Sequence, residues 1–346
     1  MGHNNMRKLI IGCMVLLSSS WAWADNAFSI DDFSITAGEE KEIEVKMSND
    51  VAITAFQFNI ALPEGVSIKY DEDEEAYCVG RTSRLLSAHV LTSELQQNGD
   101  YKVMVYHNSN KNIKGNSGEV VVTLTLVASD QVSTGAFTPT ITKQEMTEAD
   151  GKKHKIDDAT YNCSISLSTT VTSLGYASFS WPKALDFSNS GLTAFIVTSC
   201  DGNTLHLESV TKVPANTGLI LKGSENTYPL ETTDGTTDDV SSNLLSSNTD
   251  DVYTVASDDI YVLSNLDDGQ PGFYKASSGI HVAKYKSYLQ YSVSGARRHF
   301  SIEEQTTGIT PVFYDASDTL YDLQGRRVSK PTQGVYIRNG KKIVIK

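Results

Sequence analysis

Residues 51–67 read VAITAFQFNIALPEGVS, and this stretch decides the fold class. Phe56, Phe58, Ile60 and Leu62 fall on one side of an extended chain, and Gln57, Asn59 and Ala61 fall on the other. A period of two marks a half-buried β-strand, and Pro63-Glu64-Gly65 supplies the turn that ends it. The same period recurs outward from there. Ile43, Val45 and Met47 alternate with Glu42, Glu44 and Lys46, and Tyr101, Val103 and Val105 alternate with Lys102 and Met104. In the run 119–127, Val120, Val122, Leu124 and Leu126 are read as sharing a face. Turn residues separate these runs: Gly38, Asn98-Gly99-Asp100 and Gly115-Asn116-Ser117-Gly118. One apolar and one polar face per strand predicts an antiparallel sandwich. One short stretch, about Ser83 to Leu95, is read as helix-like.

These same residues carry a resemblance. VAITAFQFNIALPEGVS at 51–67, followed by GNSGEVVVTLTLVAS at 115–129, resembles a cohesin-like domain over most of 26–166. The resemblance implies a nine-stranded jelly-roll sandwich and extracellular contact with protein or carbohydrate, without catalysis. The sequence holds no Asp-x-Asn-x-Asp-Gly calcium loop of the kind a dockerin partner would carry.

The chain has 346 residues and a formal net charge of −13. That length suggests two or three domains, and the acidity sets nucleic acid aside as a partner and favours solubility. At the N-terminus, Arg7-Lys8 precede an apolar core from Leu9 to Leu17, then Trp21-Ala22-Trp23-Ala24 and Asp25. This pattern predicts a signal peptide cleaved between Ala24 and Asp25, because the apolar run is too short to span a membrane. Ile10-Ile11-Gly12-Cys13 loosely matches a lipobox, but cleavage there would leave almost no apolar core. No later window reads as a transmembrane helix. Cys78, Cys163 and Cys200 follow the cleavage site. Three cannot all pair within one chain, so a Cys78–Cys163 disulfide and isolated thiols both stand open.

The expected organisation is all-β: signal peptide 1–24, cohesin-like sandwich 25–166, a β-rich domain 167–303 and a small β-hairpin module 304–346. Ser164 to Ser173, rich in Ser and Thr, is read as the joint between the two larger domains, and 231–259 as a long solvated loop or lid. VPANTGLILKG (213–223), YVLSN (261–265), GFYK (272–275) and ARRHFSIE (296–303) resemble a β-rich domain of Bacteroidetes surface proteins. Near the end, Tyr321-Asp322-Leu323-Gln324-Gly325-Arg326-Arg327-Val328 precedes Gly334-Val335-Tyr336-Ile337 and the turn pair Asn339-Gly340. Asn-Gly favours a two-residue hairpin, which is expected to face Val335 and Ile337 against Ile343 and Ile345. This tail resembles a type IX secretion sorting domain. That implies the type IX machinery as a partner and a secreted or outer-membrane-associated location.

Motifs for chemistry are few. His89, His107, His154, His206, His281 and His299 form no metal-ligand spacing, and no nucleophile elbow, Walker loop or dinucleotide glycine pattern occurs. The acidic run Asp71-Glu72-Asp73-Glu74-Glu75 reads as a solvated loop rather than a catalytic pair. No cofactor is implied. The pairs Asp238-Asp239, Asp250-Asp251, Asp258-Asp259 and Asp267-Asp268 are the candidates for Ca²⁺, in no recognisable calcium loop. The binding candidates are aromatic: Trp181, Tyr274, Tyr285 and Tyr291, because a flat ring stacks on a sugar face. Tyr285 and Tyr291 are read as sharing one face of a strand through 285–291, with Tyr288 opposed. The leading expectation is a non-catalytic binding or adhesion protein for extracellular glycan or surface protein. A component of polysaccharide degradation and a structural surface protein are the alternatives.

Overall fold

The computed structural model describes residues 26–249, 253–254, 259–265, 269–277, 279–292, 299–304, 320–322, 326–328, 333–338 and 341–345. The expected signal peptide 1–24 and its expected cleavage residues Ala24 and Asp25 lie outside the described residues. Two compact units form, one through Glu303 and one from Glu304. Among the described residues every regular element is a strand.

The first half of the larger unit is a two-sheet sandwich. One sheet orders Ala27–Ile30, Glu40–Ser48, Ser117–Ala128 and Val66–Ile68, with Val79–Arg81 also on Ser117–Ala128. The other orders Lys153–Ile156, Thr140–Glu148, Ile53–Ile60, Tyr101–Tyr106 and Val90–Leu95, with Ala159–Thr160 also on Thr140–Glu148. The inward faces are the expected ones. Ile43, Val45 and Met47 meet Phe56, Phe58, Val103, Leu124 and Leu126 in a buried core. Asn59 and Gln144 are buried polar exceptions, and the Gln144 amide donates to the carbonyls of Ile141 and Asp157.

Two local readings are corrected here. Val120 does not join Val122 on the inner face. A register shift between Val120 and Val122 buries Val121 and Val122 side by side and leaves Val120 half-exposed. A β-bulge of this kind places two residues opposite one and breaks the period of two. Ser83 to Leu95 forms no helix. Turns occupy its start, and Val90–Leu95 is an edge strand paired with Tyr101–Tyr106.

The second half is built on a nine-stranded sheet ordered Tyr176–Phe179, Leu219–Lys222, Thr193–Asp201, Thr204–Val210, His299–Glu304, Gly272–Lys275, Ile260–Ser264, Lys286–Gln290 and Leu245–Asn248. It curls until its two ends meet. Ser180, just past the first strand, donates through Oγ to the carbonyls of Asn248 (3.3 Å) and Lys286 (3.1 Å). Phe195, Val197, Leu207, Tyr261, Phe273 and Phe300 fill the interior.

Ser164 to Ser173 is a strand for most of its length rather than a loose joint. Cys163–Val171 runs parallel to Phe33–Thr36 with its first half and antiparallel to Asn226–Thr232 with its second. Cys163, Ile165, Leu167, Thr169 and Val171 point inward, while Ser164, Ser166, Ser168 and Thr170 face out. Small hydroxyl residues on the wet face of a strand look like a linker by composition alone. One core cluster runs from Phe28 through Leu167 to Leu230. The stretch read as a solvated lid is likewise partly ordered, since Leu245–Asn248 pairs with Lys286–Gln290.

All three described cysteines are free thiols, so the Cys78–Cys163 bridge does not form. Cys163 is buried, and burial pushes its thiol pKa up. In the smaller unit, Arg327–Val328, Leu320–Tyr321, Gly334–Arg338 and Lys341–Ile345 form one sheet. Its register differs from the expected one: Val335 lies opposite Val344 and Tyr336 opposite Ile343. Arg338 and Lys341 are register partners, and the expected turn pair Asn339-Gly340 lies outside the described residues. Asp322 caps the start of this sheet. Its Oδ1 accepts from the Arg326 amide (2.9 Å) and its Oδ2 from Arg326 Nε (2.8 Å).

Candidate functional site

The four aromatic candidates do not form one platform. Trp181 is 3% exposed, and its indole stacks on Phe179 and meets the tilted ring of Tyr285 at 4.2 Å between centroids. Its faces are already covered by protein, so it is a core residue. Tyr285 precedes the strand Lys286–Gln290 and has φ +64°, a left-handed conformation that turns it off the face of the following residues. Its hydroxyl donates to Asp130 Oδ2 (3.2 Å), and Lys284 lies over its ring and 3.4 Å from the same carboxylate. Gly38 lies against the pair with φ +81°, a backbone conformation that favours glycine. Trp181 and Tyr285 thus wedge the junction between sandwich and curled sheet. Tyr291 packs edge-on to Phe300 in the curled sheet's core, so it does not share a face with Tyr285. Tyr274 stacks on His299 and donates to the Gln270 carbonyl (3.2 Å).

A different aromatic group reaches solvent. The hairpin Tyr70–Asp71 with Ala76–Tyr77 places Tyr70 opposite Tyr77, with the acidic run in its turn. Their rings meet edge to face at 5.1 Å, and Tyr77 in turn meets Tyr101 at 5.0 Å. Tyr101 is buried, and its neighbour across the sheet is Leu95 on the edge strand. Leu91, Ser93 and Leu95 alternate along that strand, but the sandwich no longer covers the last, so Leu95 is 47% exposed and Tyr70 43%. A ladder of rings therefore rises from the core to a rim of Tyr70, Tyr77 and Leu95. Reading single strands could not find it, because Tyr70 and Tyr101 are thirty-one positions apart. The signal lay in tyrosines next to turn residues.

The acidic run beside this rim behaves as a turn. Asp71 Oδ1 accepts from the backbone amides of Asp73 (3.0 Å) and Glu74 (3.1 Å).

No protein-family model matches the sequence, and no curated protein does so either. Among solved structures, the chain is similar to a non-cellulosomal cohesin from Archaeoglobus fulgidus, at 14% identity over 41% of this chain and 91% of that one, with a TM-score of 0.32. It is similar at 12% identity to a cohesin module from a Clostridium perfringens family 33 glycoside hydrolase, covering 41% and 96% of the two chains, with a TM-score of 0.33. A type I cohesin–dockerin complex from Clostridium thermocellum matches at 14% identity over 41% and 94%, with a TM-score of 0.32. At such scores the likeness adds nothing to the architecture that the strand order itself gives.

Arg84 and His89, both buried in the sandwich, have structural partners. Arg84 is 5% exposed and gathers the 113–119 loop: its guanidinium donates to the carbonyls of Met47 (2.6 Å), Glu119 (2.8 Å) and Gly115 (3.0 Å) and to Asn49 Oδ1 (3.0 Å). His89 is buried, accepts from the Leu86 amide (3.0 Å) through Nδ1 and sits 3.1 Å from the Lys111 carbonyl through Nε2. Burial holds its pKa down, so the ring is a neutral fastener of a turn. His154 pairs with Glu148 at 2.7 Å and His206 with Glu303 at 3.8 Å. Of the calcium candidates, Asp238 accepts from the amides of Thr211 and Lys212, and Asp239 accepts from that of Ser241. Asp259 accepts from the Ser292 hydroxyl, and the other members of these pairs lie outside the described residues.

Proposed function

We propose that this chain is a non-catalytic binding protein of the cell exterior, which holds an extracellular glycan at the rim of Tyr70, Tyr77 and Leu95. One observation carries the reading: two large apolar side chains stand nearly half exposed at the end of a ring ladder anchored in the core. A tyrosine fixed in this way loses little conformational freedom when a pyranose ring stacks on it. The carboxylates of the adjoining turn provide acceptors for sugar hydroxyls. Export rests on the residue pattern of 1–24, and surface delivery through a type IX route on that of 304–346.

The test is a glycan array probed with residues 25–346, followed by titration of the best glycan. Tyr70→Ala is expected to weaken binding about tenfold, the equivalent of ~1.4 kcal/mol. Binding that survives both Tyr70→Ala and Leu95→Ala would sink the rim as the site. Absence of any glycan signal would favour a second reading, capture of a protein strand. The observation behind that reading is the edge position of the strand Val90–Leu95, which among the described residues pairs with one strand only and so offers backbone groups to another.

A further inference from the structure

Where the two ends of the curled sheet meet, the wall is not continuous. A cavity of about 330 Å³ opens between the end of the strand Cys163–Val171, the strand Tyr176–Phe179 and the chain from Ile280 to Ser287. This is within the usual size range for a small-molecule site. Leu174, Ala177, Val262 and Val282 give it apolar walls, and Thr172 and Ser178 add hydroxyls. Lys286 contributes the ammonium group, and among the described residues no Asp or Glu lines the cavity. The neighbouring Lys284 is neutralised by Asp130, whereas among the described residues no carboxylate pairs with Lys286. His281 also lines the cavity, and its exposed ring adds no negative charge. A half-buried ammonium without a counter-ion is costly, and an anion entering the cavity would offset that cost. Burial alone pushes the Lys286 pKa down, as an unmatched cation requires.

We infer that this cavity is a binding site for the oxyanion of a small polar ligand, with Lys286 as its counter-ion and the aliphatic walls receiving the ligand's carbon skeleton. The mixed lining fits a sugar acid, which joins a carboxylate to an apolar ring face, and the same ammonium would take a free inorganic oxyanion. The site is separate from the Tyr70 rim, so either can fail without the other.

The experiment is calorimetric titration of residues 25–346 with D-glucuronate, inorganic phosphate and neutral D-glucose. Glucuronate is expected to saturate one site per chain, and D-glucose is expected to show no comparable binding. Binding should weaken with added salt and fall at least tenfold in Lys286→Met, while Lys286→Arg and the exposed-site control Lys275→Met retain it. Ser178→Glu, which sets a carboxylate into the lining, should abolish binding by supplying the counter-ion internally. Preference for glucuronate would identify an acidic saccharide as the source, and equal binding of phosphate a free oxyanion. Both outcomes uphold the site. Saturable binding of neither anion, or unchanged glucuronate binding in both Lys286→Met and Ser178→Glu, would overturn it.

Discussion

Lys286 has a measurable signature even without a ligand. Its pKa is lowered by burial below the ordinary 10.5. A depressed lysine opposes folding wherever it is charged: the penalty is absent above the unfolded pKa, builds as pH falls through it, and is complete below the folded value. Lys286→Met is therefore expected to raise Tm at about pH 7 by about 2–4 °C, corresponding to about 1 kcal/mol. The advantage over the parent chain should shrink as pH rises and vanish above pH ~10.5, where the lysine is neutral in the folded and the unfolded chain alike. Thermal melts of the two proteins across this range check it, and an equal advantage at both ends would show that packing, not charge, separates them. None of this was legible in the sequence, where Lys286 is one of two lysines in the run AKYKSY at 283–288. The cavity is assembled from 170–178, 262–263 and 280–287, segments that only tertiary structure brings together. Trp181 shows the converse. Its Ser-Trp-Pro setting resembles an exposed loop, yet the indole is covered by Phe179 and Tyr285. Local composition reports turn chemistry and says nothing of what packs across it.

At the scale of elements, the strands with strict alternation were read correctly because one covered face and one wet face impose period two directly on the residues. Ile43–Met47 and Phe56–Ile60 are of this kind. The exceptions have physical causes. The bulge at 120–122 lies within three consecutive valines, so no change of residue type marks where the register slips. Val90–Leu95 is an edge strand with a half-open inner face, which blurs its alternation. The strand Cys163–Val171 alternates perfectly, but its outward residues are Ser and Thr, and composition outweighed period in the reading. This strand also carries the most consequential contact. Leu167 is buried at the crossing from one partner to the next, opposite Leu230. Leu167→Ala is expected to cost about 2–5 kcal/mol. The loss should appear in both halves together. Hydrogen exchange of amides in Ile53–Ile60 and in Leu219–Lys222 should accelerate by the same factor, whereas a change confined to one half would mean that the strand does not couple them.

The molecule as a whole follows from that coupling. Its core does not stop at residue 166. A fragment ending there would cut the strand Cys163–Val171 in mid-course and remove Leu167, Val171, Phe179, Trp181 and Leu230 from a single apolar cluster. Residues 25–303 are expected to unfold in one calorimetric transition, with van't Hoff and calorimetric enthalpies in agreement. Residues 25–166 alone should melt far lower or aggregate, because the exposed half of the cluster has nothing to cover it. Fluorescence gives an independent probe. In residues 25–346 Trp181 is the sole tryptophan, and it stands at the junction between sandwich and curled sheet. Its emission should shift at the same denaturant concentration as the far-ultraviolet signal of the entire β scaffold. Two separated transitions, with Trp181 following only one of them, would show that the shared core does not bind the halves into a single folding unit.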